Sequence, residues 1–137
     1  MIINHSSQMD DKRRVCEMND EKHGNLFEGI AQYGHSDEFF ETLSTAHNVR
    51  IERIVSRGQT TPPGEYYDQD WIEYVFIVQG SAQLEIEGTV RDLRLGDWVC
   101  LGAHVKHRVV YTSTEPPCVW LAVHVCPIIS IGQRGES

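Results

Sequence analysis

The sequence predicts an all-β fold: an antiparallel jelly-roll β-barrel, preceded by a short helix and a polar N-terminal extension. Three observations carry this. From Val49 onward, apolar and polar residues alternate with a period of two. Turns containing glycine and proline cut that stretch into about seven or eight short strands, roughly ten residues apart. No helical pattern lies between those strands, which excludes a βαβ arrangement and leaves a sandwich or barrel.

The elements follow in order. Residues 1–24 are polar and mixed in charge, so a flexible extension is expected there. The barrel domain is expected over 25–127 and a C-terminal tail over 128–137. Asn25-Leu26-Phe27 opens an apolar patch suited to anchoring on the barrel. A short helix is expected at about 36–46: Ser36 can cap it, Asp37 and Glu38 suit the first turn, and Phe39, Phe40 and Leu43 form an apolar face. Val49–Ser56 is rich in β-branched residues and reads as a strand. Gly58 to Gly64, with Pro62-Pro63, reads as a loop. The strongest strand is Trp71–Gln79. Trp71, Glu73, Val75 and Ile77 share one face, and Ile72, Tyr74, Phe76 and Val78 the other, so both faces are expected to be covered. Ser81–Glu87 alternates cleanly, with Ala82, Leu84 and Ile86 inward. Thr89–Leu95, Trp98–Leu101, His107–Ser113 and Cys118–Cys126 complete the set, with Gly88, Gly96-Asp97 and Glu115-Pro116-Pro117 as turns.

Composition narrows the function. The chain has 137 residues, room for one domain with a core of its own. A formal net charge of −8, with Lys12-Arg13-Arg14 as the sole tight basic cluster, argues against nucleic acid and anionic membranes as partners. There is no transmembrane run, and the first residues lack the basic and apolar regions of a signal peptide, so a cytoplasmic protein is expected. The four cysteines, Cys16, Cys100, Cys118 and Cys126, form no C-x-x-C pair and read as reduced thiols, with Cys100 and Cys126 in the core.

Glu73 sits in mid-strand between apolar neighbours. A carboxylate buried there must be paired, protonated or bound to something, because burying it bare is costly. One alternative is a structural pair with Arg53 or a hydrogen bond to Tyr111; the other is a working site. His107 opens a strand on the same face as Val109 and Tyr111. His124 reads as a core or rim histidine. Tyr66, Tyr67 and Trp71 are placed to line a pocket mouth.

The run from Gly58 to Tyr111 resembles the cupin superfamily of small jelly-roll barrels that often hold one metal ion. The family's first motif ends in a metal-binding Glu, six residues, then Gly; Glu73 and Gly80 match. Its second motif is Gly, five residues, Pro, one residue, Gly, two residues, His, three residues, Asn. Gly96 and His107 match, whereas Gly102, His104 and Tyr111 replace the Pro, the second Gly and the Asn. Fifteen residues, Ser81–Leu95, join the motifs. The resemblance spans Val49 to Val125 and extends to a narrower group of cupin-domain proteins without assigned function. The family's His-x-His pair falls here on Tyr66 and Asp68 or on Tyr67 and Gln69, depending on the gap, and neither is a histidine pair.

The resemblance therefore implies a metal shell of Asp68, Glu73, His107 and His104, suited to Fe, Mn or Zn, with Tyr66, Tyr67, Gln69 and Tyr111 lining the pocket. It implies a metal-dependent enzyme of dioxygenase or isomerase type acting on a small molecule. The missing histidine pair supports an alternative, a non-catalytic module that binds a small ligand. A homodimer is also implied.

Overall fold

The computed structural model describes residues 14–126. Eight strands lie in that span: β1 Phe39–Ala46, β2 Val49–Ser56, β3 Ile72–Gln79, β4 Ala82–Ile86, β5 Thr89–Leu93, β6 Trp98–Leu101, β7 His107–Thr112 and β8 Cys118–Val125. All ladders between them are antiparallel. One sheet has the order β1-β2-β8-β3-β6 and the other β5-β4-β7. Among the described residues no helix is long and apolar enough to cross a membrane.

Two expectations are corrected. The short helix expected at 36–46 is not there; its residues are β1. That strand pairs with β2 from Phe39↔Val55 to Ala46↔Val49, with a register shift between Thr42 and Ser44. The shift explains the misreading. A bulge at Leu43 breaks the alternation, so Phe39, Phe40 and Leu43 mimic helical spacing. Pairing with β2 satisfies the backbone groups along one side of this edge strand, and this outweighs local propensity. The sole helical turn described nearby is a 3₁₀ segment, Ile30–Gln32.

The expected closed barrel is, among the described residues, a sandwich of two sheets that share no strand ladder. The loop after β2 spans one side of the gap instead. Its Thr61 N–H donates to the Val109 carbonyl at 2.9 Å, and Tyr67 and His107 exchange two backbone hydrogen bonds of 2.7 and 3.1 Å. This single bridge sets His107 beside Tyr67 at the sheet opening.

The core lies between the sheets: Ile54, Val75, Ile77, Leu84, Leu101, Val109 and Trp120, with Phe40 packed against it. Burying each large aliphatic side chain stabilises by about 1.5–3 kcal/mol. On β3 the inward face is Glu73, Val75 and Ile77, as the alternation predicts. Two turns depend on special backbone. Glu87 and Gly88, both at positive φ, close the tight β4–β5 hairpin. At Gly80 a Cβ would lie 2.8 Å from the Pro117 carbonyl oxygen, so the turn after β3 admits no side chain.

The segment before β1 covers the outer face of β2. Arg53 donates to the Leu26 and Glu28 carbonyls at 3.1 and 2.6 Å and to Glu41 at 2.6 Å. Arg57 donates to the Tyr33 and Ile30 carbonyls at 2.8 and 2.7 Å. Of the polar extension, Val15 bridges to Thr45 on β1; residues 1–13 and the tail expected at 128–137 lie outside the described residues. The cysteine expectation divides. Cys118 is buried, whereas Cys100 and Cys126 are exposed: Cys100 is on the outward alternation of β6, next to inward Leu101, and Cys126 lies just past the end of β8.

Candidate functional site

Alternation on β3, β7 and β8 points three titratable side chains into one end of the interior. Glu73 lies opposite His124 in the β3–β8 ladder and opposite Leu101 in the β3–β6 ladder. His107 opens β7 across the gap. Glu73, His107 and His124 are 5%, 6% and 2% exposed. The Glu73 carboxylate sits between the two rings: Oε1 is 3.8 Å from His107 Nε2, and Oε2 is 3.8 Å from His124 Nε2. Both separations exceed a hydrogen bond.

The two histidines differ in what holds them. Trp71 donates its indole N–H to His124 Nδ1 at 2.8 Å, which places the proton of the neutral ring on Nε2. That Nε2 donates to Glu52 at 3.0 Å. Glu52 is fully buried and has Arg50 at 3.6 Å. His124 is thus committed on both nitrogens. His107 Nδ1 faces the Val105 carbonyl at 2.9 Å, and a carbonyl only accepts, so Nδ1 carries the proton. The Nε2 lone pair of neutral His107 then faces Glu73. The Tyr67 ring stacks on His107 at 5.3 Å. Burial first, and then the negative charges of Glu38, Glu73 and Glu52, push the Tyr67 phenol up, so it keeps its proton at neutral pH and is a donor.

These groups border a cavity of about 40 Å³ lined by Glu38, Phe40, Tyr67, Glu73, His107 and Trp120, with Val75, Leu84 and Leu101 among the apolar walls. Glu38 is oriented from behind: Trp120 Nε1 donates to Ser56 Oγ at 3.2 Å, and Ser56 donates to Glu38 at 2.6 Å.

The residues expected to form the metal shell fall into two separate pairs. Glu73 and His107 meet in the cavity. Asp68 and His104 meet each other at the surface, Oδ1 to Nδ1 at 2.8 Å, with the His104 side chain 68% exposed. His104 lies in a turn at positive φ, where its N–H donates to the Gln69 carbonyl. Of the expected lining residues, Tyr67 borders the cavity and Gln69 is buried. Tyr66 borders a different surface depression, with Lys106 over its ring at 5.0 Å. Tyr111 is 47% exposed and does not border the cavity. Neither structural alternative for Glu73 is realised: Arg53 is engaged by Glu41, and Tyr111 faces away. Sequence reasoning missed Glu38 and Glu52 and read His124 as a core or rim histidine. A signal existed for His124, since it and Trp71 lie on the inward alternation of neighbouring strands, but their pairing needed the register.

A resident transition metal requires at least three converging donors. His107 Nε2 and Glu73 converge, but His124 is committed to Trp71 and Glu52, and the positions of the family's histidine pair carry Tyr66 and Asp68 or Tyr67 and Gln69, neither of them a histidine pair. Among the described residues no group of three or more His, Cys, Asp or Glu is arranged to hold a metal ion. The donor set does not fit a resident metal.

Comparison with known proteins agrees with the fold. The Cupin domain family matches residues 53–124. The structure is similar to that of a candidate mannose-6-phosphate isomerase from Ralstonia eutropha JMP134, at 46% identity and a TM-score of 0.73, over 78% of this chain and 100% of that one. An RmlC-like cupin from Desulfovibrio desulfuricans is similar at 18% identity and a TM-score of 0.66, over 80% of this chain and 100% of that one. A cupin superfamily protein from Desulfitobacterium hafniense DCB-2 is similar at 14% identity and a TM-score of 0.62, over 79% and 94%. No curated protein matches the sequence.

Proposed function

The chain belongs to the cupin family, and from that premise we propose that it is an isomerase-type enzyme that moves a proton on a small molecule held between Glu73 and His107, without a resident metal. One observation carries the reading. A carboxylate 5% exposed borders a cavity, and its contacts with two imidazoles, at 3.8 Å, are too long for hydrogen bonds. Such a group destabilises the fold unless something binds it, so its presence points to a task.

The roles follow from the hydrogen bonds. Glu73 is the general base that removes a proton from carbon next to a carbonyl. Neutral His107 accepts a substrate hydroxyl at Nε2 while Val105 fixes its ring. The protonated Tyr67 phenol donates toward developing negative charge. Glu52 and Trp71 hold the His124 ring that backs Glu73 and fix its orientation. The Ralstonia protein's name supports the reaction type; it does not assign a substrate.

Untagged protein, dialysed against chelator, would be incubated in D₂O with hydroxyacetone and dihydroxyacetone, and C–H to C–D exchange followed by NMR. Exchange above buffer is expected, unchanged by EDTA and reduced about 100-fold in Glu73→Gln, the scale of general base catalysis. Exchange that requires added metal would overturn the metal-free reading. No exchange above buffer would leave a ligand-binding module in place of an enzyme.

A further inference from the structure

We infer that the cavity is built for a ligand carrying a small ammonium group, an inference that rests on this cavity being the working site. The cavity presents acceptors in excess. Two of its lining side chains, Glu38 and Glu73, are carboxylates, and none is lysine or arginine. Glu38 is held as an acceptor by the Trp120–Ser56 relay. His107 donates its one N–H of the neutral ring to Val105 and offers a lone pair. The N–H of His124 is turned to Glu52. Among the described lining residues, Tyr67 carries the only hydroxyl donor. Of the buried arginines, Arg53 is engaged by Glu41 and by two carbonyls on the outer side of β2, and neither it nor Arg50 borders the cavity.

A phosphate or carboxylate ligand meets the wrong field here. It would be buried against Glu73 without a guanidinium, an ammonium or a helix N-terminus to receive it. An ammonium group reverses each term: its N–H donors match the Glu73 oxygens and the His107 lone pair as charge-assisted hydrogen bonds. The rings of Phe40, Tyr67 and Trp120 stand in the same wall, an aromatic lining that attracts a cation. Size agrees. A cavity of about 40 Å³ has room for roughly three water-sized groups, the scale of methyl- or ethylammonium.

The test uses the full chain, untagged and chelator-treated, at fixed ionic strength. Binding of methylammonium, ethylammonium, inorganic phosphate, mannose 6-phosphate and Mn²⁺ is measured by calorimetry and by thermal shift. Saturable binding of the alkylammonium ions is expected, weakened at least about tenfold in Glu73→Gln, which corresponds to 1.4 kcal/mol, and unchanged in Asp68→Asn. The unliganded melting temperature of Glu73→Gln verifies that it folds. The inference is overturned by absence of saturable ammonium binding, by equal binding in Glu73→Gln, or by tighter binding of phosphate, mannose 6-phosphate or Mn²⁺. Ammonium binding without C–H exchange would reject only the catalytic reading. Exchange with no preference for ammonium would reject only this one.

Discussion

Two acid–histidine pairs stand about one strand apart in sequence and behave as opposites. Asp68 and His104 touch at 2.8 Å on the surface. Glu73 and His107 stand 3.8 Å apart inside. Contact distance alone would rank the surface pair first. Burial reverses the ranking. A solvated ion pair contributes little, because water competes for both partners and the side chains lose freedom. The interior pair is shielded from that competition: His107 is pinned by a carbonyl, and Glu73 is flanked by two rings at 3.8 Å, beyond hydrogen-bond length.

The largest expected effect separates the pairs directly. Glu73→Gln and His107→Ala should each lower C–H exchange about 100-fold, whereas Asp68→Asn and His104→Ala should change it less than about twofold. Equal losses in both pairs would mean that the surface pair reaches the chemistry and that the division is wrong.

Stability sharpens the comparison next. Glu52 is held by His124 and Arg50, so Glu52→Gln should cost about 1–3 kcal/mol in urea unfolding. Glu73→Gln should cost nothing or stabilise, since it removes a buried negative charge whose two imidazole contacts, at 3.8 Å, exceed hydrogen-bond length. If Glu73→Gln destabilises as much as Glu52→Gln, Glu73 is structural.

A smaller effect concerns the ring behind Glu73. Trp71→Phe removes the indole donor to His124 Nδ1 while keeping an aromatic ring. It should cost about 1 kcal/mol and release the tautomer, read as a change in the His124 ring ¹⁵N shifts. Unaltered shifts would show that Glu52 alone orients the ring. On the surface, Asp68→Asn should stay within about 0.5 kcal/mol of wild type.

Burial also sorts the thiols. Burial first, and then the charge of Glu38, push the Cys118 thiol up to about 12 from an ordinary 9.0. A group raised in the folded state favours folding fully below its unfolded value and loses that advantage as pH climbs toward its folded value. The urea midpoint should therefore fall as pH rises above about 9, through Cys118 and the similarly raised Tyr67, and Cys118→Ala should flatten part of the fall. At pH 8.5, iodoacetamide should label exposed Cys100 and Cys126 well before Cys118, as mass spectrometry would show.

Much of this molecule was legible from residues alone, for physical reasons. Alternation fixes which side of a strand faces inward, so Glu73, Val75 and Ile77 were assignable to one face before any coordinates. Glycine and proline mark where the chain must turn, and β2 and β6 run between the bounds their sequence implies. The Glu73–Gly80 and Gly96–His107 spacings carried the family. Local pattern failed at β1, where a bulge scrambled the period and pairing with β2 overrode the helical look.

The site was half legible, and the missing half is all register. Nothing in sequence order brings Trp71 to His124 or His124 to Glu52, residues 53 and 72 positions apart. Those contacts arise because β8 lies between β2 and β3, an order decided by tertiary packing. Likewise the string Tyr67-Asp68-Gln69 does not say which side chain turns in. The bridge between Tyr67 and His107 decides it, burying Tyr67 and Gln69 and leaving Asp68 to His104. What sequence determined was the set of chemical groups and the face each occupies. What only the tertiary structure decided was which groups meet, since strand order and register act over distances that local periodicity does not encode.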